Sequence, residues 1–262
     1  MRRALAVGAV AACLALAGCS SSHPSGPADA GASATSVSGT VVVFAAASLK
    51  DTFTTLAHEF EQAHQGVKIV PSFGGSDTLA AQIVEGAPVD VFASANTATM
   101  ATVTKAGDAG APTDFAKNSL EIAVAPGNPL GISSLADVAK SGVKLALCAP
   151  TVPCGAAADK ALKAGNITAH PVTLEQNVTA VLTKVELGEV DAGIVYQTDV
   201  KTAGDKVAGV DFAEAAQAVN TYPIAVVTTG KNPQAAKAFV DYVLSADGQQ
   251  VLHDAGFRSA AP

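Results

Sequence analysis

The 262 residues carry 16 Lys and Arg against 23 Asp and Glu, a formal net charge of −7. Setting aside residues 1–18, which hold Arg2 and Arg3 and no acid, leaves 14 − 23 = −9, a surface that repels nucleic acid and does not steer anions inward. Tryptophan is absent and aromatic residues make up 5%, which argues against a sugar-stacking site or a nucleobase platform.

In chain order, Arg2 and Arg3 precede an apolar stretch, 4–17, too short to remain as a membrane-spanning helix, so it reads as an export signal outside the fold. It ends in Leu16-Ala17-Gly18-Cys19, which resembles the lipobox of bacterial lipoproteins and thereby implies acylation of Cys19. A plain secretory signal with an incidental cysteine is the alternative. Residues 19–39 are rich in Ser, Gly, Ala and Pro without apolar periodicity and read as a flexible tether. The remaining 220 or so residues suffice for one large domain or two lobes of about 100 each.

Val41-Val42-Val43-Phe44 predicts a buried strand that passes through Ala45-Ala46-Ala47-Ser48 into a helix with Leu49, Phe53, Leu56, Ala57 and Phe60 on one face. A second strand, 67–70, is expected to stop at Pro71, and Ser72 to Asp77 turns into a helix carrying Leu79 and Ile83. Further strands are predicted at 89–93, 144–149, 171–174, 191–196 and 222–227. Helices are expected after 97, over 155–163 and 177–187, and from Asn232-Pro233 onward, with a break near 246–248. Alternation of this length predicts an α/β fold, a mainly parallel sheet with helices on both faces. Cys148 and Cys154 fall in the folded part. Outside the cytoplasm they can form a disulfide or stay as two thiols, and alone they supply half a tetrahedral metal site.

In such sheets ligands sit beyond the carboxyl ends of strands, where helix N-termini favour anions. Those positions are small or hydroxylic here: Ser48, Ser76, Pro153-Cys154-Gly155 and Asn177-Val178, with no Lys or Arg among them. Each serine by itself reads as a helix cap.

Four blocks in order, Phe44-Ala45-Ala46-Ala47-Ser48-Leu49, Ser72-Phe73-Gly74-Gly75-Ser76-Asp77-Thr78-Leu79, Gly86-Ala87-Pro88-Val89-Asp90-Val91-Phe92 and Gly193-Ile194-Val195-Tyr196, resemble the periplasmic molybdate-binding proteins of ABC transporters. The resemblance covers nearly the whole mature chain. It implies a two-lobed type II periplasmic-binding-protein fold, each lobe a mainly parallel sheet flanked by helices. Lobe 1 would be 40–119 and 224–262 and lobe 2 120–223, with crossings near 118–122 and 220–224. It further implies a molybdate or tungstate site made by the hydroxyl and main-chain N–H groups of Ser48 and Ser76, the N–H groups of Cys154 and Val178, and the Tyr196 hydroxyl. Alanine is usual where this chain has Cys154, and a bridge to Cys148 would stiffen that loop. Molybdenum would enter only as the oxyanion, with no direct protein–metal bond and no cofactor. The implied protein is no enzyme but an exported, lipid-anchored monomer on the outer face of the membrane, partnered by a membrane permease. A sulfate or thiosulfate receptor is the nearest rival, since a slightly smaller dianion uses the same donors. A hydrolase using Ser48 ranks lower, because His58-Glu59 lacks the second histidine of a zinc protease and Gly74-Gly75-Ser76-Asp77-Thr78 lacks the last glycine of a nucleophile elbow.

Overall fold

The computed structural model describes residues 37–260. The export signal, the lipidation site Cys19 and the tether up to residue 36 lie outside the described residues. Val37 already packs on the first core and the Ser38 carbonyl accepts from Asn232 Nδ2 at 2.8 Å, so the folded part starts ahead of residue 40.

The elements run β1 (Gly39–Ala46), α1 (Lys50–Ala63), β2 (Val67–Gly74), α2 (Ser76–Val84), β3 (Val91–Ala93), α3 (Thr97–Ala106) and β4 (Thr113–Asn118). Next come β5 (Leu120–Val124), β6 (Leu145–Cys148), α4 (Pro153–Ala164), β7 (Thr173–Glu175), α5 (Val178–Glu186), β8 (Ala192–Tyr196), α6 (Gln197–Ala203) and β9 (Ala208–Val210). The chain closes with β10 (Asn220–Val226), α7 (Pro233–Leu244) and α8 (Ala246–Asp254). Two five-stranded sheets result, ordered β2-β1-β3-β10-β4 and β7-β6-β8-β5-β9, each with its own apolar core.

Four of the five strands in each sheet point the same way, and the fifth is reversed. In the first sheet that strand is β10, antiparallel to β3 and β4; in the second it is β5, antiparallel to β8 and β9. The reason lies in connectivity: β5 and β10 are the strands that arrive from the other lobe, so they start at the cleft where the others end. The chain leaves the first sheet after Asn118 and returns at Asn220, which pairs with Asn118, so the crossing strands lie side by side. Residues 220–223, assigned to the second lobe from sequence, pair with β4 in the first sheet, because the apolar side chain of Tyr222 buries in the first core. The C-terminal stretch ties down the same place: Arg258 exchanges backbone hydrogen bonds with Lys117 and its guanidinium donates to Ser119 Oγ at 2.7 Å.

Pro71 does not end β2, which continues to Gly74 with Pro71 opposite Val43. β2 is an edge strand, where a residue facing solvent with its nitrogen loses no ladder bond as proline. The face of α1 that buries Phe53, Leu56, Ala57 and Phe60 has the spacing i, i+3, i+4, i+7. Phe53 and Phe60 meet Phe239 of α7 edge-on at 6.2 and 5.4 Å. Asp90 anchors the lower end of β3: one carboxylate oxygen accepts from Val42 N at 2.8 Å and the other from Asn232 N at 2.9 Å, which fixes the start of α7 against β1.

Candidate oxyanion site

β1, β2 and β3 of one sheet and β6, β7 and β8 of the other end at the same cleft, and the turns that follow them deliver the functional groups. The turn 47–49 after β1 carries Ser48, and Ser76 is the first residue of α2. On the other side Cys154 is the second residue of α4, Val178 the first of α5, and Tyr196 the last of β8. All five line one small cavity between the sheets, together with Ala46, Gly74, Gly75, Ala95, Pro153 and Asn177 among others. No lining side chain is charged.

Local sequence explains the donors. In the first turn of a helix the backbone N–H groups lack intrahelical partners and sit at the positive end of the dipole. Pro153 opens α4 with φ already fixed and no N–H of its own, leaving the Cys154 N–H at the front. Asn177 caps α5 by accepting from Ala180 N at 2.9 Å, which leaves the Val178 N–H for the cavity. The Cys148–Cys154 disulfide closes over residues 149–153 and pins the start of α4 to the end of β6. Gly155 is required by the same turn, since a Cβ there would run into the Ala149 carbonyl.

Two of the side-chain hydroxyls, those of Ser76 and Tyr196, accept hydrogen bonds from behind. Ser76, 1% exposed, accepts from Ala95 N at 3.0 Å, so its proton is free to be donated. Ser48 Oγ lies 3.0 Å from Tyr222 Oη, and Asn220 Nδ2 donates to Tyr196 Oη at 2.7 Å. Burial pushes the phenols of Tyr196 and Tyr222 well up from the ordinary value, so both stay protonated as hydrogen-bonding groups. Asn220 and Tyr222 escaped the sequence reading. Only the crossing strand brings residue 220 beside residue 196, and the one available signal was a polar Asn-Thr pair opening an otherwise apolar run.

The lobes touch across the mouth. Thr151 Oγ1 donates to Asp77 Oδ2 at 3.2 Å, and a Cβ on Gly75 would collide with the Gln176 carbonyl. Two α/β lobes closed over a small, uncharged, donor-lined cavity define a receptor for a small solute.

The chain belongs to the bacterial extracellular solute-binding protein family, whose model matches residues 41–258. It is 43% identical over 254 residues to the molybdate-binding protein ModA of Mycobacterium tuberculosis, covering 97% of each chain. Among solved structures it is similar to the periplasmic molybdate-binding protein of Azotobacter vinelandii (TM-score 0.70, 21% identity, 83% of this chain and 98% of that one). It is also similar to the sulfate-binding protein SubI of M. tuberculosis (TM-score 0.75, 20% identity, 86% of this chain and 88% of that one). At those identities the two structures speak for the fold alone.

Proposed function

We propose that this protein is the extracytoplasmic solute-binding component of an ABC importer and that it captures molybdate, and tungstate of the same geometry, between its lobes. The observation that carries the reading is the convergence of uncharged donors, Ser48, Ser76, the Cys154 and Val178 N–H groups and Tyr196, on one cavity with no charged lining. A fully deprotonated tetrahedral dianion only accepts hydrogen bonds, and charge-assisted bonds in a water-poor site are the strong ones. Neutral donors hold such an ion while the net charge of the protein remains negative. Donors come from both lobes, so the anion binds the closed form more tightly than the open one and shifts the population toward it. The closed form would be the species that the membrane permease engages, with the protein held as a monomer at the outer face of the membrane through acylated Cys19.

Molybdate is preferred over sulfate because a 43% identical relative is a molybdate-binding protein, whereas the likeness to a sulfate-binding protein is one of fold. A hydrolytic role for Ser48 is disfavoured by its partner: Tyr222 is a phenol that burial keeps protonated and so no general base. Calorimetric titration of the unlipidated protein with molybdate, tungstate, sulfate and phosphate tests the reading. Tight binding of the first two is expected; tight sulfate binding with none of molybdate overturns the assignment.

A further inference from the structure

Three helix N-termini face the cavity, and one of them differs in charge. α4 and α5 have no acid in their first turns, whereas α2 carries Asp77 directly after Ser76. An acid there suits an isolated helix, because it meets the same unpaired N–H groups and dipole that a bound anion would use. Beside a dianion site it works against binding: the carboxylate competes for that dipole and repels the ligand.

The closed mouth adds a second penalty. Asp77 Oδ2 accepts from Thr151 of the other lobe at 3.2 Å, while Oδ1 is buried without a hydrogen-bond partner. Oδ1 lies 2.8 Å from the point where a Cβ on Gly75 would stand, and the Gln176 carbonyl of the other lobe crowds the same point. An ionised carboxylate and a backbone carbonyl both only accept hydrogen bonds. Two acceptors from opposite lobes therefore converge on one glycine, and closure brings their negative charge together.

We propose that Asp77 is the release-determining residue of this receptor: its carboxylate holds down the affinity of the closed cleft for a dianion, so that the lobes reopen. The proposal rests on the oxyanion reading of the site. A cleft with donors alone around a dianion binds tightly and lets go slowly, since affinity differences within one binding site lie mostly in dissociation. A carboxylate that is hydrated when the cleft is open and half-paired when it is closed raises the closed state alone. Asp77 stands one residue behind the lining, so it acts without disturbing the donors. The Thr151 contact pulls the other way, but it is one long bond from an exposed threonine, and the unpaired oxygen and like-charge repulsion together outweigh it.

The test follows molybdate association and release by stopped flow on the tyrosine fluorescence, with Kd from calorimetry, for wild type, Asp77→Asn and Asp77→Ser. Melting curves of the ligand-free proteins confirm folding. Asp77→Asn keeps an oxygen for the Thr151 hydroxyl, removes the charge and offers an amide N–H to the Gln176 carbonyl. Its Kd is expected to fall about tenfold or more, chiefly through slower release, while its ligand-free melting temperature stays close to that of wild type. Asp77→Ser is expected to slow release as well. A latch role, in which Asp77 holds the mouth shut through Thr151, predicts the reverse sign. Release from the Asn variant as fast as from wild type, or faster, overturns the proposal. Should that variant not fold, the Ser variant decides by the same criterion. A wild type that binds no molybdate is a different outcome, which overturns the oxyanion reading and this inference with it.

Discussion

At the scale of single residues, a serine becomes a committed donor when something else occupies its oxygen. Ser76 is held so by the Ala95 N–H, and the Tyr196 hydroxyl likewise by the Asn220 amide. Ser48→Ala and Tyr196→Phe each remove one hydrogen bond to a charged ligand, so each is expected to cost about 1.5–3 kcal/mol of molybdate affinity, roughly a 10- to 150-fold rise in Kd. Unchanged affinity in both variants would move the site elsewhere. Asp199 supplies a second prediction. Its carboxylate accepts from Tyr196 N at 2.9 Å, and desolvation raises its pKa to about 7, with the charge of Asp51 adding to the rise. The folded state therefore binds a proton between about pH 4 and 7 that the unfolded chain has given up. Its stabilising contribution is fully present at the acid end and is lost as pH rises through 7, at about 1.4 kcal/mol per pH unit at most within that window. Asp199→Asn removes the titration while keeping a side-chain oxygen for the Tyr196 N–H. Urea midpoints at pH 5.5 and 7.5 are expected to differ in wild type and to converge in the variant. Equal pH dependence in both would assign the effect to other groups, Glu121 among them, whose pKa burial also raises to about 7.

At the scale of elements, the α/β alternation was legible because long apolar runs such as 41–44 end in small or polar residues before a helical apolar face begins. β4, β5 and β9 were not, for a physical reason. β4 reads Thr-Asp-Phe-Ala-Lys-Asn and β9 is three residues long, so neither has a run of apolar residues, and their stability comes from partners supplied by the crossing. Pro71 misled for the converse reason: a local rule against proline in strands yields at an edge. The serine positions were readable as strand ends, while the second layer of Tyr222 and Asn220 depends on a contact across sequence separations of 174 and 24. The Cys148–Cys154 disulfide acts at this scale. A loop of six or seven residues yields about 2 kcal/mol of unfolded-state restriction in the chain-entropy model, modest for the whole fold. Its larger effect is local, because it holds the turn that aims the Cys154 N–H. Cys148→Ser with Cys154→Ala is expected to lower stability by about that amount and to weaken molybdate binding chiefly through faster dissociation. Stopped-flow release measured with and without reductant on the wild type checks this independently, and identical release rates would confine the bridge to a stability role.

At the scale of the whole molecule, the binding free energy has to be spent partly on closure, and the closed mouth shows where. Asp77 meets Thr151 through one carboxylate oxygen, while its other oxygen, Oδ1, is buried without a hydrogen-bond partner. Opening returns that oxygen to water, so the mouth favours the open form until a ligand compensates. Gly75 is the tightest point of the closed mouth, with the Gln176 carbonyl where a Cβ would stand. Its φ of −61° and ψ of 130° are ordinary for any residue, so alanine there imposes no backbone strain. The backbone clash exists only when the lobes meet; within its own lobe the Cβ also comes within 2.8 Å of Asp77 Oδ1, the end of a side chain that can turn aside. Gly75→Ala is therefore expected to melt at the wild-type temperature without ligand. With saturating molybdate it should show a smaller rise in melting temperature and a smaller drop in radius of gyration by small-angle scattering than wild type. At 100 times Kd a ligand selective for the folded state adds about 2.7 kcal/mol, ample to read the difference. A variant that compacts fully and binds as tightly as wild type would show that the lobes need not meet at Gly75 to hold the anion, and would separate binding from closure.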